Sequence, residues 1–257
     1  MRAQTLPAAA GWGWLLTGFA IFRRNPIVLG MLVLTYWFTV IFLNVLPFIG
    51  TLAASLLIPG LSVGLMQAAR QVERGQPIGV QTLFGSMKEN ARTLFALGAL
   101  YLCCTLGILG LSTLLDGGDM FQFMMASNRT ERAAVEDADF IVPALFVMLM
   151  MTPIMMAYWF APVLAAWHRL SLGRSLFFSL VACWINWRAF LIYGAGLLLV
   201  AGIMPGILLG LLLLIFPDAA NFVAVIVTMP MVLVIAPTLF ASFYACYRDI
   251  FGISEIV

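Results

Sequence analysis

Six stretches of this chain run for twenty residues or more with at most one charged side chain: 27–46, 49–69, 91–115, 140–167, 189–216 and 222–247. A helix needs roughly 20 apolar residues to cross a hydrocarbon core about 30 Å thick. In lipid only helices and closed barrels satisfy every backbone polar group. The lengths fit helices, so the sequence predicts an all-α, polytopic membrane bundle of six transmembrane helices. Only Pro47-Phe48 joins the first pair of spans and 217–221 the last pair, which makes both antiparallel hairpins. Three hairpins, each led by a short interfacial amphipathic helix, would form one integral membrane domain over 1–257. Spans four and five are longer than a bilayer requires, so tilt or emergence from it is expected.

Composition closes the alternatives. Of 257 residues, 63% are hydrophobic and only 9% charged, against about 25% charged in soluble domains. So few charges cannot coat a soluble globule of this size. A net charge of +2 gives no stripe to track phosphates, so nucleic acid is excluded as a partner. Residues 12–22 are short, scarcely preceded by basic residues and followed by Arg23-Arg24, which does not fit a cleavable signal peptide. The first span is expected to serve as the targeting signal.

Lysine and arginine set the orientation. Eleven of the thirteen fall before span one, after spans two and four, or after span six, together with four of the eleven acids. That side carries +7 and the other −5. The positive side of such proteins faces the cytoplasm, so both termini are expected there.

The chain also repeats a pattern three times, over roughly 8–74, 78–169 and 175–248. Every even span carries a proline with leucine two residues on: Pro59-Gly60-Leu61, Pro162-Val163-Leu164 and Pro237-Thr238-Leu239. Arg70 and Arg248 each lie eleven residues past their proline, while the middle copy has Arg169 and Arg174 instead. A segment ending in Asn25, Asn90 or Asn186 precedes every odd span. Trp12, Leu15, Leu16, Phe19 and Phe22 form one helical stripe, and Val80, Leu83, Phe84, Met87 and Ala91 another. Both suit helices lying in the headgroup layer. The third lead-in, 175–185, is apolar nearly all round and either lies between other helices or continues into span five.

Within the spans, Pro59, Pro153, Pro162, Pro205, Pro230 and Pro237 each free a backbone carbonyl and are expected to kink their helices. Gly202, Gly206 and Gly210 recur at four-residue spacing in span five, with Gly194 two turns earlier. Such a face lets another backbone approach closely. Its partner would be span four or six of the same chain, the default expectation, or span five of a second copy.

Groups capable of chemistry are sparse. No carboxylate, lysine or arginine lies in the middle of a span, which argues against a proton relay or a charged-substrate site. The deepest polar groups are Thr35, Thr39, Asn44, Thr105, Thr152 and Thr228. The sole histidine, His168, sits beside Arg169 at the end of span four. Cys103, Cys104, Cys183 and Cys246 lack metal-ligand spacing, and the methionines at 148, 150, 151, 155 and 156 lie on several faces. Asp116-Gly117-Gly118-Asp119 holds too few oxygens for calcium. Asn128-Arg129-Thr130 has the form of a glycosylation sequon, within an acidic loop at 116–139 that a partner could read. No catalytic residue, cofactor or metal site is expected.

The segments Ala10-Gly11-Trp12-Gly13-Trp14-Leu15-Leu16, Phe22-Arg23-Arg24-Asn25-Pro26, 58–64 and 72–77 resemble those of a family of proteobacterial inner-membrane proteins of uncharacterised role. More loosely, the chain is similar to the membrane domain accompanying some glycerophosphodiester phosphodiesterases, without their soluble catalytic domain. The resemblance implies the bacterial inner membrane and six helices, and it transfers no site residue. The function expected is that of a non-enzymatic accessory or interaction component in lipid, with other membrane proteins or a second copy as partners. The alternative is a carrier or channel for an uncharged or lipid-like solute between spans four to six, with Thr152, Met155, Pro205 and Thr228 lining its cavity. A filled core with the glycine face turned outward would favour association.

Overall fold

The computed structural model describes residues 3–46, 49–88, 90–119, 121–122, 141–216 and 219–252. Among them every regular element is helical. In chain order they are α1 (Ala10–Arg24), α2 (Pro26–Asn44), α3 (Ile49–Glu73), α4 (Val80–Gly85) with a 3₁₀ turn at Ser86–Lys88, α5 (Ala91–Asp116), α6 (Ile141–Trp159), α7 (Ala161–Trp167), α8 (Leu172–Ile185), α9 (Trp187–Leu197), a π-helical segment at Leu198–Ile203, α10 (Met204–Ile215) and α11 (Ala220–Phe251). Six helical stretches are long and apolar enough to span a membrane: α2, α3, α5, α6–α7, α9–α10 and α11. The sequence-based architecture is what the molecule has. A short helix followed by two spans recurs three times along the chain.

Of the lead-in helices, α1 adds a packing role to the expected one. α1 does not lie apart on the surface. It packs along α11 and α9 through Gly11, Trp14, Gly18 and Ile21, which are buried. Trp12, Leu16 and Phe19 of the expected stripe are exposed instead. Small residues explain the difference. A Cβ on Gly11 would strike the Ala189 carbonyl, and one on Gly18 would lie 2.7 Å from Ser242 and the Thr238 carbonyl. The helices touch backbone to backbone there, a contact that hydrophobicity alone does not mark. α8 is a helix of its own, separated from α9 by Asn186.

Two prolines sit at real interruptions. Span four breaks at Phe160, two residues ahead of Pro162. The Ser179 hydroxyl of α8 enters the gap, accepting from Phe160 N–H at 2.9 Å and donating to the Met156 carbonyl at 2.8 Å. One side chain thereby replaces the missing turn of the helical ladder. In span five the π segment ends just before Pro205, whose ring cannot tolerate the Ala201 carbonyl in an α register. Pro59, Pro153, Pro230 and Pro237 lie inside helices that run on past them.

The core is not centred. Its fully buried members, among them Trp14, Leu61, Leu83, Phe160, Tyr193 and Ile250, concentrate where α1, α7 and α8 meet the later turns of α3 and α11. The first described residues join this end, with Gln4 N–H donating to the Ile250 carbonyl at 2.8 Å. The opposite halves of α6, α10 and α11 are largely exposed.

Candidate functional site

The positive end is built from the ends of the even spans. Arg248 on α11 pairs with Glu73 at the end of α3 and, at 2.9 Å, with Asp249. Tyr244 Oη donates to the second Glu73 oxygen at 2.7 Å, and Arg24 donates to the Glu73 carbonyl at 3.0 Å. The Arg70 guanidinium lies 4.9 Å from the centre of the Trp167 ring. His168 Nε2 and Tyr247 Oη are 2.6 Å apart. Burial first, then nearby positive charge that includes Arg70, holds His168 below the ordinary histidine pKa. These ion pairs and hydrogen bonds tie α1, α3 and α11 together.

Two of the asparagines that close the lead-in segments, Asn90 and Asn186, act as clamps. Asn186 accepts from Leu6 N–H at 2.8 Å and donates to the Gln4 and Ala182 carbonyls, both at 2.9 Å. Asn90, left-handed at φ 52°, donates to the carbonyls of Ala165 at 2.9 Å and Leu170 at 3.2 Å. Sequence reading marked these positions without their partners, which, Ala182 aside, lie 75 to 182 residues away.

An apolar cavity of about 440 Å³ opens between α3, α5, α6–α7 and α11. Pro59, Ser62, Tyr101, Met155, Tyr158 and Phe243 line it. Of the residues expected to line a cavity, only Met155 does so. Thr152 is exposed and returns its hydroxyl to the Met148 carbonyl at 2.8 Å. Thr228 is exposed, and Pro205 lies outside the lining. The expectation took the walls to be spans four to six, whereas α3 and α5 supply much of them. Trp159 and Phe243, whose rings meet edge to face at 5.0 Å, help fill the space between spans four and six.

Four of the glycines of span five lie open, whereas Gly196 is buried against Leu15 and Trp12 of α1. A Cβ on Gly194, Gly206 or Gly210 would meet nothing within 4 Å, and one on Gly202 only Leu198 of its own helix. The expected default, a contact with span four or six, is therefore absent among the described residues. Pro205, Leu209, Leu212 and Leu213 are half-buried on the side of α10 that packs on α11. Adjacent helical positions diverge by about 100°, which carries Gly202, Gly206 and Gly210 away from that contact. The close approaches use Gly11, Gly18, Gly64 and Gly98 instead. The sequon and most of the acidic loop at 116–139 lie outside the described residues. Asp116 accepts from Gly118 N–H at 2.9 Å, a turn that closes α5.

No family model and no solved structure matches the chain. A protein of Burkholderia thailandensis named a probable inner membrane protein is 34% identical over 261 aligned residues, covering 99% of this chain and 96% of the relative. That similarity supports the inner-membrane family and lends nothing to the looser likeness with phosphodiesterase membrane domains. Six apolar spans, no soluble unit among the described helices, and a relative aligned from end to end lead to one conclusion: the chain belongs to this family of inner-membrane proteins.

Proposed function

We propose that the protein is a non-enzymatic interaction component of a membrane assembly, docking a transmembrane helix of a separate polypeptide on span five. The observation that carries this reading is the exposure of that span. In its most apolar 18-residue window no residue is buried inside the chain, against half of the corresponding window of α3. In lipid, apolar side chains gain little by leaving other hydrocarbon, so close backbone contact at small residues becomes a main source of association. Gly202, Gly206 and Gly210 offer that contact on an uncovered face. Both termini lie on the cytoplasmic side in this reading, as the +7 charge of that side supports.

Gly206→Leu is the direct test. The protein is extracted from its native membrane in lipid-preserving particles and its co-purifying chains are weighed. The variant should lose its partner, or its second copy, at least fivefold while keeping the wild-type thermal midpoint. Equal recovery of the same assembly by the variant would defeat the proposal. Transport through the bundle draws no comparable support, because the residues expected to line its path do not converge.

A further inference from the structure

Beyond a docking face, the structure holds a seam that changes character along its length. The apolar cavity meets α3 at Ser55, Pro59 and Ser62, and a second cavity of about 410 Å³ continues along the same helix at Gln67, Arg70 and Gln71. Val63 borders both. α7 makes the same passage, from Val163 on the apolar side to Trp167 on the polar side. Gly85 then joins the second cavity to a third, of about 630 Å³, lined by Lys88, Asn90 and Arg169. The three cavities thus follow one another along a seam, from aromatic and methionine side chains to three cations, with Val63 and Gly85 as the residues that adjoin two of them.

Its dimensions and unmet polar groups select the occupant. From Ser55 to Arg70 a helix rises about 22 Å, close to one bilayer leaflet with its headgroup, about 20–22 Å. At the deep end the Tyr158 hydroxyl is shielded from solvent and has no hydrogen-bond partner. A buried donor in that state is costly unless a ligand oxygen meets it. At the shallow end the Arg70 guanidinium sits over the Trp167 ring, and among the described residues its side chain makes no hydrogen bond, which leaves its N–H groups for a phosphate. Among the described residues no carboxylate pairs with Arg70, Lys88 or Arg169. Glu73, one turn past Arg70, is taken by Arg248 and Tyr244. Glu89, next to Lys88 in sequence, lies outside the described residues. Asn90 and Arg169, the two non-glycine residues with positive φ among those described, both line the cationic mouth.

We propose that this seam binds one anionic phospholipid, its acyl chain in the apolar cavity and its phosphate at Arg70, with Lys88 and Arg169 at the mouth. Basic pockets between spans on the positive side of membrane proteins are suited to such headgroups. The cavity volume falls in the range of about 300–1,000 Å³ that holds small ligands.

Native mass spectrometry of the full chain, titrated with phosphatidylglycerol, phosphatidylethanolamine or inorganic phosphate, tests it. Wild-type protein should retain one phosphatidylglycerol at least fivefold more than phosphatidylethanolamine at equal concentration. The double variant Arg70→Gln, Arg169→Gln should bring the two lipids level, and Ile58→Trp, which fills the apolar end, should lower retention of both. Neither arginine is buried, and an unchanged thermal midpoint of the double variant shows that its fold is kept, so it decides the matter even if Ile58→Trp does not fold. Equal retention by wild type, or a preference that survives the double variant, overturns the proposal. A thermal shift from inorganic phosphate as large as that from phosphatidylglycerol also overturns it, since a free-anion site needs no tail.

Discussion

Ser179 and Asn186 show how single polar side chains hold this bundle. Both are buried, and both satisfy backbone groups that a helix break or a chain entry leaves open. Removing such a partner strands the groups it served, at about 1–3 kcal/mol per buried group. Ser179→Ala deletes the bridge without adding bulk at this buried position, so it should lower stability by about that amount in reversible unfolding in detergent. Asn186→Ala should cost as much and should also release the first described residues, seen as faster hydrogen exchange at Leu6. His168 adds a pH dependence. Its pKa lies below the ordinary value in the folded chain, so below about pH 6.5 the unfolded chain binds more protons. Stability should therefore fall as pH drops from about 6.5 towards the folded pKa, and should hold steady above it. His168→Gln should flatten that slope, and a slope of opposite sign would show the assignment to be wrong.

At the scale of helices, the spans were legible because lipid sets their length: all six observed spans begin within two residues of the predicted stretch. The extra piece in span four was legible only as a long segment bearing Pro162, since the break depends on a serine from α8. What the sequence did not disclose was which glycines pack. Gly18 and Gly206 each belong to a run of small and apolar residues, but Gly18 meets Ser242 while Gly206 faces outward. Partner choice is a tertiary property that spacing does not encode. The contrast yields a paired prediction. Gly18→Leu should overpack the contact of α1 with α11 and cost about 1–3 kcal/mol or more, read as a lower thermal midpoint. Gly206→Leu should leave that midpoint unchanged. Equal losses in both variants would place Gly206 inside the bundle.

Across the whole molecule, the charge pattern and the core share one end. Aromatic side chains, the paired charges and the first and last described helices meet there, while the far halves of α6, α10 and α11 present apolar surface to lipid. The seam exists because α3, α5, α6–α7 and α11 do not fully close beyond that core. The cavity could not be placed from sequence, since its walls come from 55–66, Tyr101, 155–163 and 240–243, far apart in the chain, and no local motif records such a meeting. Span five is the outlying member, held at one end by α1 and along α10 by α11. Scanning it with a photoreactive side chain, one position at a time from Gly194 to Leu214 in the native membrane, tests the account most directly. Adducts to a separate chain should peak at Gly202, Gly206 and Gly210 and fall away at Leu209 and Leu213. Adducts that lack this helical period, or that join span five only to helices of its own chain, would contradict it.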